Sequence, residues 1–203
     1  MTAEFSQRTL EVFLQRPKVS IELGCGPAKR DPQALGVDVL DLPGVDLVSD
    51  AQTFLQSLPD GSVDSIYSEH FLEHVPNAYA LVAESSRVLK AGGQFRAVIP
   101  HFSNPWFYSD PTHSTHFGLY TFAYWVESHP FSRGVPHYST PLPFHVESAN
   151  HIFKSNRPFL LRHALKKTLG SWVNTSRWTQ EFYEEHLTWI MPCYEIDYRL
   201  TRL

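Results

Sequence analysis

The chain of 203 residues has no apolar run approaching the roughly 20 residues of a membrane-spanning helix, which argues against a membrane protein. Its amino terminus intersperses Glu4, Arg8, Glu11 and Arg16 and so lacks the apolar core of a secretory signal. Cysteine is scarce. Cys25 and Cys193 alone cannot make a disulfide scaffold, so the expected compartment is the reducing cytoplasm. Charge is modest too, with 17 basic against 21 acidic residues and a formal net charge of -4. Nucleic acid is therefore not an expected partner, because phosphate binding needs a basic face. Histidine is absent before His70, yet the chain holds eleven. The front and back of the molecule are built for different purposes.

What is present is a soluble composition, 42% hydrophobic and 19% charged, in a length that suits one core and a single domain over 1–203. The organising stretch is Val19 to Pro27, an apolar run that breaks into Gly24-Cys25-Gly26. This pattern reads as a buried strand entering a tight turn. Residues 3–16, with Phe5, Leu10, Val12, Phe13 and Leu14, are spaced as a short amphipathic helix ended by Pro17. Further strands are expected at 35–40, 45–50, 63–67 and 95–99. Asn77 is placed to cap a helix with Leu81, Val82, Ser85, Val88 and Leu89 on one stripe, stopped by Gly92-Gly93. The segment from Pro27 to Leu35 is too short and polar for a full crossover helix. Strand, crevice, strand, strand, helix, strand is the order of an α/β doubly wound sheet.

Beyond Pro100 the texture changes. Residues 101–145 interleave twelve aromatic residues with six histidines, which suggests a cap over the crevice. An alternating stretch near 146–153, helices over 158–169 and 179–189, and a last strand over 194–200 complete the expected pattern. No repeat, low-complexity tract or flexible linker is visible.

The ordered set Glu22-Leu23-Gly24-Cys25-Gly26-Pro27, Gly36-Val37-Asp38, Ser49-Asp50-Ala51, Ser62 to His74 and Arg87 to Gly93 resembles the cofactor site of class I S-adenosylmethionine-dependent methyltransferases, in the compact branch called type 11. The resemblance spans about 19–100. It implies a Rossmann-like, doubly wound, seven-stranded sheet, mostly parallel with its last strand antiparallel, and an aromatic, histidine-rich cap after strand five. It divides the domain into a cofactor core (19–100), a substrate cap (101–145) and a completing segment (146–203). It further implies S-adenosylmethionine as cofactor and S-adenosylhomocysteine as product. In that reading Gly24, Cys25 and Gly26 pass the methionine tail and Glu22 meets its ammonium. Asp38 takes the ribose hydroxyls, Asp50 or Ala51 reads adenine, and Ser68 and Glu69 close over the amino acid part. The third glycine of the fuller motif is missing, and the short spacing leaves Asp41 as a competing ribose partner.

The expected reaction is methyl transfer to an oxygen or nitrogen of a small molecule by a monomer or homodimer. His70, His101, His113 and His116 are the candidate acid–base groups, unranked, and Trp106, Tyr108, Asp110, Tyr120 and Tyr124 the candidate acceptor contacts. For Phe122 and Trp125, core packing weighs at least as much. Asp110, His113 and His116 are metal-ligand types at workable spacing, but no metal is expected. Lys154, Arg157, Arg162, Lys166 and Lys167 read as a solvated helix face, with an anion handle as the alternative. Two other readings stand beside methyl transfer: aminocarboxypropyl transfer or cyclisation, and a non-catalytic cofactor-binding module. A nicotinamide oxidoreductase is disfavoured because the dinucleotide fingerprint is incomplete.

Overall fold

The computed structural model describes residues 7–203. Helix α1, Gln7–Leu14, covers part of the first expected helix; its expected start, with Phe5, lies outside the described residues. The sheet strands are β1 (Ser20–Leu23), β2 (Leu35–Asp38), β3 (Leu47–Val48), β4 (Val63–Glu69), β5 (Leu89–Pro100), β6 (Val126–Ser128), β7 (Leu142–Ile152) and β8 (Glu195–Arg202). Helices α2 (Ala51–Gln56), α3 (Ala78–Val88), α4 (Leu160–Val173) and α5 (Arg177–His186) complete the elements used below.

The strands form one sheet in the order β3-β2-β1-β4-β5-β8-β7-β6. The chain winds outward from β1 in both directions, and β1 to β5 are mutually parallel. β8 runs antiparallel between β5 and β7. The sheet is thus the expected Rossmann-like one with a strand more than the seven expected. The addition is β6, three residues inside the expected cap, which pairs parallel with the edge of β7.

Three boundaries differ from the sequence reading, each for a local reason. α2 begins where Asp50 accepts the backbone N–H of Thr53 at 2.8 Å, and Ala51, Phe54 and Leu55 then bury one face at i, i+3 and i+4. α3 is capped by Asn77, as expected, but ends at Val88 rather than at the glycine pair. Leu89 already pairs with Val63, and Lys90 reaches Asp64 at 2.7 Å, so the sheet captures the chain before Gly92-Gly93. Those glycines form an irregularity inside β5, where Gly92 has φ +78°. The connections β1–β2 and β2–β3 contain no α-helix. The polar side of the sheet is correspondingly laced to itself: Ser20 with Ser65 at 2.9 Å, and Arg96 with both oxygens of Asp197 at 2.8 Å.

The middle of the expected cap serves a different purpose. Phe117, Leu119, Phe122 and Ala123 are buried in the main core with Phe95, Phe144 and Tyr198. Phe122 meets Tyr198 edge-on at 4.7 Å between centroids. These residues form a layer on the sheet beside α3, where burying an aromatic side chain removes much apolar surface from water. Only 101–116 remains at the strand ends. A smaller cluster of Phe153, Val173, Tyr183 and Cys193 ties α4 and α5 to the last strands.

Candidate active site

The glycine turn grows directly out of the pairing of β1 with β2. Gly24 and Cys25 both donate to the carbonyl of Val37, at 2.9 and 3.3 Å. Gly26 donates to Oδ2 of Asp38 at 2.9 Å, and Oδ1 of Asp38 accepts from Leu40 at 3.0 Å. Gly24 and Gly26 both have positive φ, +63° and +56°, a region that costs little only for glycine. Their environments differ. A Cβ on Gly24 would sit 2.4 Å from the Phe71 ring, whereas one on Gly26 would meet nothing within 4 Å. Phe71, not a ligand, therefore demands glycine at 24, and Gly26 is the open approach. Gly24→Ala is expected to lower stability by about 1–3 kcal/mol through strain and overlap. Gly26→Ala should cost less stability and more cofactor affinity. Urea midpoints and cofactor titration of the two variants check this, and equal profiles would refute the distinction.

Cys25 is buried beside this turn, and burial, then the Asp38 charge, pushes its thiol up to about 11. It is no nucleophile at neutral pH. Asp50 uses Oδ1 to cap α2, accepting from the backbone and hydroxyl of Thr53, which leaves Oδ2 outside the cap. Ser68 is buried at the end of β4 with no hydrogen-bond partner for its Oγ among the described residues.

Glu22 is found elsewhere than expected. Both its oxygens accept the backbone N–H of Arg30, at 3.0 and 2.9 Å, and one also accepts Asp31 at 3.4 Å. It pins the 27–33 loop in the place of a crossover helix, a structural task that its expected ammonium contact did not include. Burial raises its pKa, opposed by those backbone bonds. Glu69 is likewise drawn to this loop, accepting from Tyr67 at 2.5 Å and lying 3.4 Å from Arg30.

At the next strand end, His70 adopts φ +50° and donates its backbone N–H to Val98. Its Nε2 lies 3.0 Å from Glu195 and its Nδ1 3.7 Å from Glu73. These two carboxylates, Glu195 foremost, carry the imidazole up to about 9. At neutral pH His70 is a cation, suited to donate a hydrogen bond and not to accept a proton. Glu195 also binds Lys154 at 2.9 Å, and its pKa is lowered: burial raises it, but His70 and Lys154 outweigh that. Glu195 was not singled out by sequence because it looked like one polar position in an alternating strand.

Beyond Lys154 lies a pocket of about 260 Å³ lined by Trp106, Lys154, Arg157, Arg162, Lys166 and Tyr194, among others. Four of the five residues of the basic run thus converge around one space, and Lys167 alone stays outside it as an exposed helix residue. Lys166 is buried, and burial, with Arg162 nearby, lowers its pKa.

The remaining candidates separate. His101 is fully buried, its Nδ1 accepting from the backbone of Ser103 at 3.1 Å and its Nε2 facing Glu184 at 3.1 Å. It is held inside the protein and does not face the crevice. Trp106 and Tyr108 are largely exposed. Tyr120 bonds Glu181 at 2.9 Å and Tyr124 stacks on Tyr138. His116, Tyr120 and Tyr124 line a cavity of about 830 Å³ against α5, which shares no residue with the glycine turn. Size therefore does not locate the chemistry here. Asp110 and His113 sit instead beside Glu73 and His74, away from Tyr120.

Comparison with known proteins agrees with this geometry. Residues 28–97 match the family model described as a methyltransferase domain. Among solved structures, an S-adenosylmethionine-dependent methyltransferase from Archaeoglobus fulgidus superposes with TM-score 0.53 at 16% identity, over 97% of this chain and 90% of that one. One from Mesorhizobium loti gives 0.53 at 14%, covering 96% of each. Phosphoethanolamine N-methyltransferase 2 of Haemonchus contortus, in complex with S-adenosyl-L-methionine, gives 0.52 at 12%, over 95% of this chain and 50% of that one. No curated protein matches at the same stringency. The chain carries the class I S-adenosylmethionine-dependent methyltransferase fold. Within it, residues 28–97 are similar to the methyltransferase domain family.

Proposed function

We propose that the chain transfers a methyl group from S-adenosylmethionine to an oxygen or nitrogen atom of a small molecule bearing an anionic group. The observation that carries this is the Gly24-Cys25-Gly26 turn clamped onto Asp38 at the point where the strand order reverses, the crevice where open α/β sheets bind ligands. The residues present fit the cofactor. The outer side of Gly26 is open, Asp38 is an ionisable acceptor at the end of β2, and the buried Ser68 hydroxyl lacks a partner. Bound there, the cofactor supplies an electrophilic methyl on a sulfonium. The protein has to align the acceptor and exclude water.

The acceptor side is argued from charge. Four basic residues line one small pocket and, among the described residues, only Lys154 is ion-paired there, with Glu195, which favours a phosphate or carboxylate handle on the acceptor. The Lys154–Glu195–His70 chain leads from that pocket to the end of β4. Cationic His70 is positioned to donate to the acceptor atom or its neighbour. No helix among the described residues is long and apolar enough to cross a membrane.

Calorimetric titration with S-adenosylmethionine, S-adenosylhomocysteine and NAD tests the reading. The first two are expected to bind and NAD is not; binding of NAD alone would overturn it. Turnover with phosphorylated and carboxylated small amines and alcohols should release S-adenosylhomocysteine. Release of methylthioadenosine would instead mean transfer of the aminocarboxypropyl arm, and binding without turnover a non-catalytic module.

A further inference from the structure

Near the end of β4, three side chains from two separate segments converge. Glu73 and His74 follow β4, and His113 comes from the Asp110–His116 segment, which is held there by Ser114 and Thr115 donating to the Glu73 carbonyl at 2.7 and 3.3 Å. One ligand atom from each of Glu73, His74 and His113 lies within 4.8 Å of the others.

The hydrogen bonds around the two imidazoles define which nitrogens are bare. Nδ1 of His113 is 2.8 Å from the carbonyl of Phe107, which can only accept, so that nitrogen carries the proton. Nδ1 of His74 is 2.8 Å from the hydroxyl of Thr112, which in turn donates to Asp110 at 2.6 Å. The hydroxyl proton is thereby used, and His74 must donate from Nδ1. In the neutral tautomer that these contacts select, Nε2 of each ring is the nitrogen with the lone pair. Glu73, with a side chain only 1% exposed, has neither oxygen hydrogen-bonded among the described residues. Nε2 of His74 is 3.9 Å from it, and the nearest donor, Nδ1 of His70, is 3.7 Å away, beyond hydrogen-bond reach. Asp110 adds a fourth candidate ligand atom, its Oδ2 lying 3.8 Å from Nε2 of His113. A buried carboxylate with no hydrogen bond among the described residues, flanked by two imidazole nitrogens and a second carboxylate, offers a ligand set for a cation.

We propose that Glu73, His74 and His113, with Asp110 in reach, form a binding site for one divalent transition-metal ion. Imidazole nitrogens with carboxylate oxygen suit zinc, iron, cobalt or manganese more than magnesium or calcium. Each histidine already has its other nitrogen fixed by a carbonyl or a carboxylate-backed hydroxyl, the arrangement that orients metal-ligating imidazoles. Ligands at about 2.0–2.2 Å from an ion require a modest contraction of the cluster, which the half-exposed His74 can supply. The fully buried group His101–Glu184–His151 makes the contrast clear. There both Nε2 atoms lie within hydrogen-bond distance of one Glu184 oxygen, so donors match acceptors and no cation is called for.

The site differs from the trio that spacing alone suggested. His116 packs its ring against Phe107 and Tyr108 instead, and Glu73 and His74 take its place. The spacing of Asp110, His113 and His116 offered ligand types with no metal expected; the folded arrangement groups Glu73, His74 and His113 instead. On the methyltransferase reading the ion lies beside His70, where it can bind an acceptor oxygen. The site itself does not depend on that reading.

The test uses the full chain, stripped with a chelator, without cofactor. Titration with Co²⁺ is expected to give the visible bands of a four- or five-coordinate ion, and calorimetry with Zn²⁺ a stoichiometry near one. His113→Ala and Glu73→Gln should each weaken binding at least about 100-fold, and His116→Ala should leave it unchanged. Circular dichroism checks folding; since Glu73 is buried, His74→Ala at the exposed ligand serves as the second variant. Absence of binding by the parent, equal binding by the His74 and His113 variants, or loss in His116→Ala would each overturn the proposal. S-adenosylmethionine binding by a protein that takes no metal would refute the site while leaving the proposed function intact.

Discussion

Glu184→Ala is expected to destabilise the protein by about 3–5 kcal/mol, the cost of removing one partner from a buried ionic network. One carboxylate oxygen serves the Nε2 atoms of His101 and His151 at 3.1 and 3.2 Å, and the other accepts the backbone N–H of Leu119 at 2.8 Å. The substitution leaves three buried donors unpaired at the junction of α5, β7 and the segment after β5. For a chain of this size the melting temperature should fall by roughly 6–20 °C. A fall of less than about 1 kcal/mol in urea denaturation would mean that the network is not formed.

The same network sets the response to acid. Burial would raise the Glu184 carboxyl, but hydrogen bonds from His101 and His151 outweigh it and hold the pKa below the ordinary 4.5. A group lowered in this way adds stability that is complete above 4.5 and is lost as pH falls toward the folded value. His151 is lowered from 6.5, chiefly by burial. The unfolded chain therefore takes up a proton that the folded one refuses, and stability declines as pH drops below 6.5. Both effects act in one direction. The difference between parent and Glu184→Ala should be constant from pH 6 to 8 and shrink below 4.5. Thermal melts across that range measure it.

Asp38→Ala should weaken S-adenosylmethionine and S-adenosylhomocysteine by about 1–3 kcal/mol, the usual worth of hydrogen bonds to a charged group. Because Asp38 also holds Gly26 and Leu40, a simple loss of affinity could come from a loosened turn. A cycle separates the two. An S-adenosylhomocysteine analogue lacking both ribose hydroxyls should bind the parent less tightly than the natural compound, and bind the variant equally. If the analogue's penalty persists in the variant, Asp38 organises the turn and the ribose lies elsewhere, with Asp41 the next residue to test.

Much of the cofactor half was legible because its signals are local. Gly24 and Gly26 marked positive φ, Asn77 marked a helix start, and alternating or continuous apolar runs marked β1, β2 and β4. Other features escaped for identifiable reasons. α2 is two turns long, and its cap, Asp50, was read as a ligand contact. β5 begins at Leu89 because Asp64 on the neighbouring strand captures Lys90, a pairing 26 residues distant. Phe117 and Phe122 had the composition of a cap, but whether an aromatic residue covers a crevice or a sheet depends on which surface is nearest.

The residue pattern by itself determined the sheet's winding and the glycine turn, since strand period, turn chemistry and connection rules act over a few residues. Only the tertiary structure decided that Glu22 binds a loop, that the Lys154–Lys166 run surrounds a pocket, and that Glu73 meets His113. Those outcomes depend on which charged groups are brought within a few ångströms and removed from water, and such proximity is a property of the folded chain.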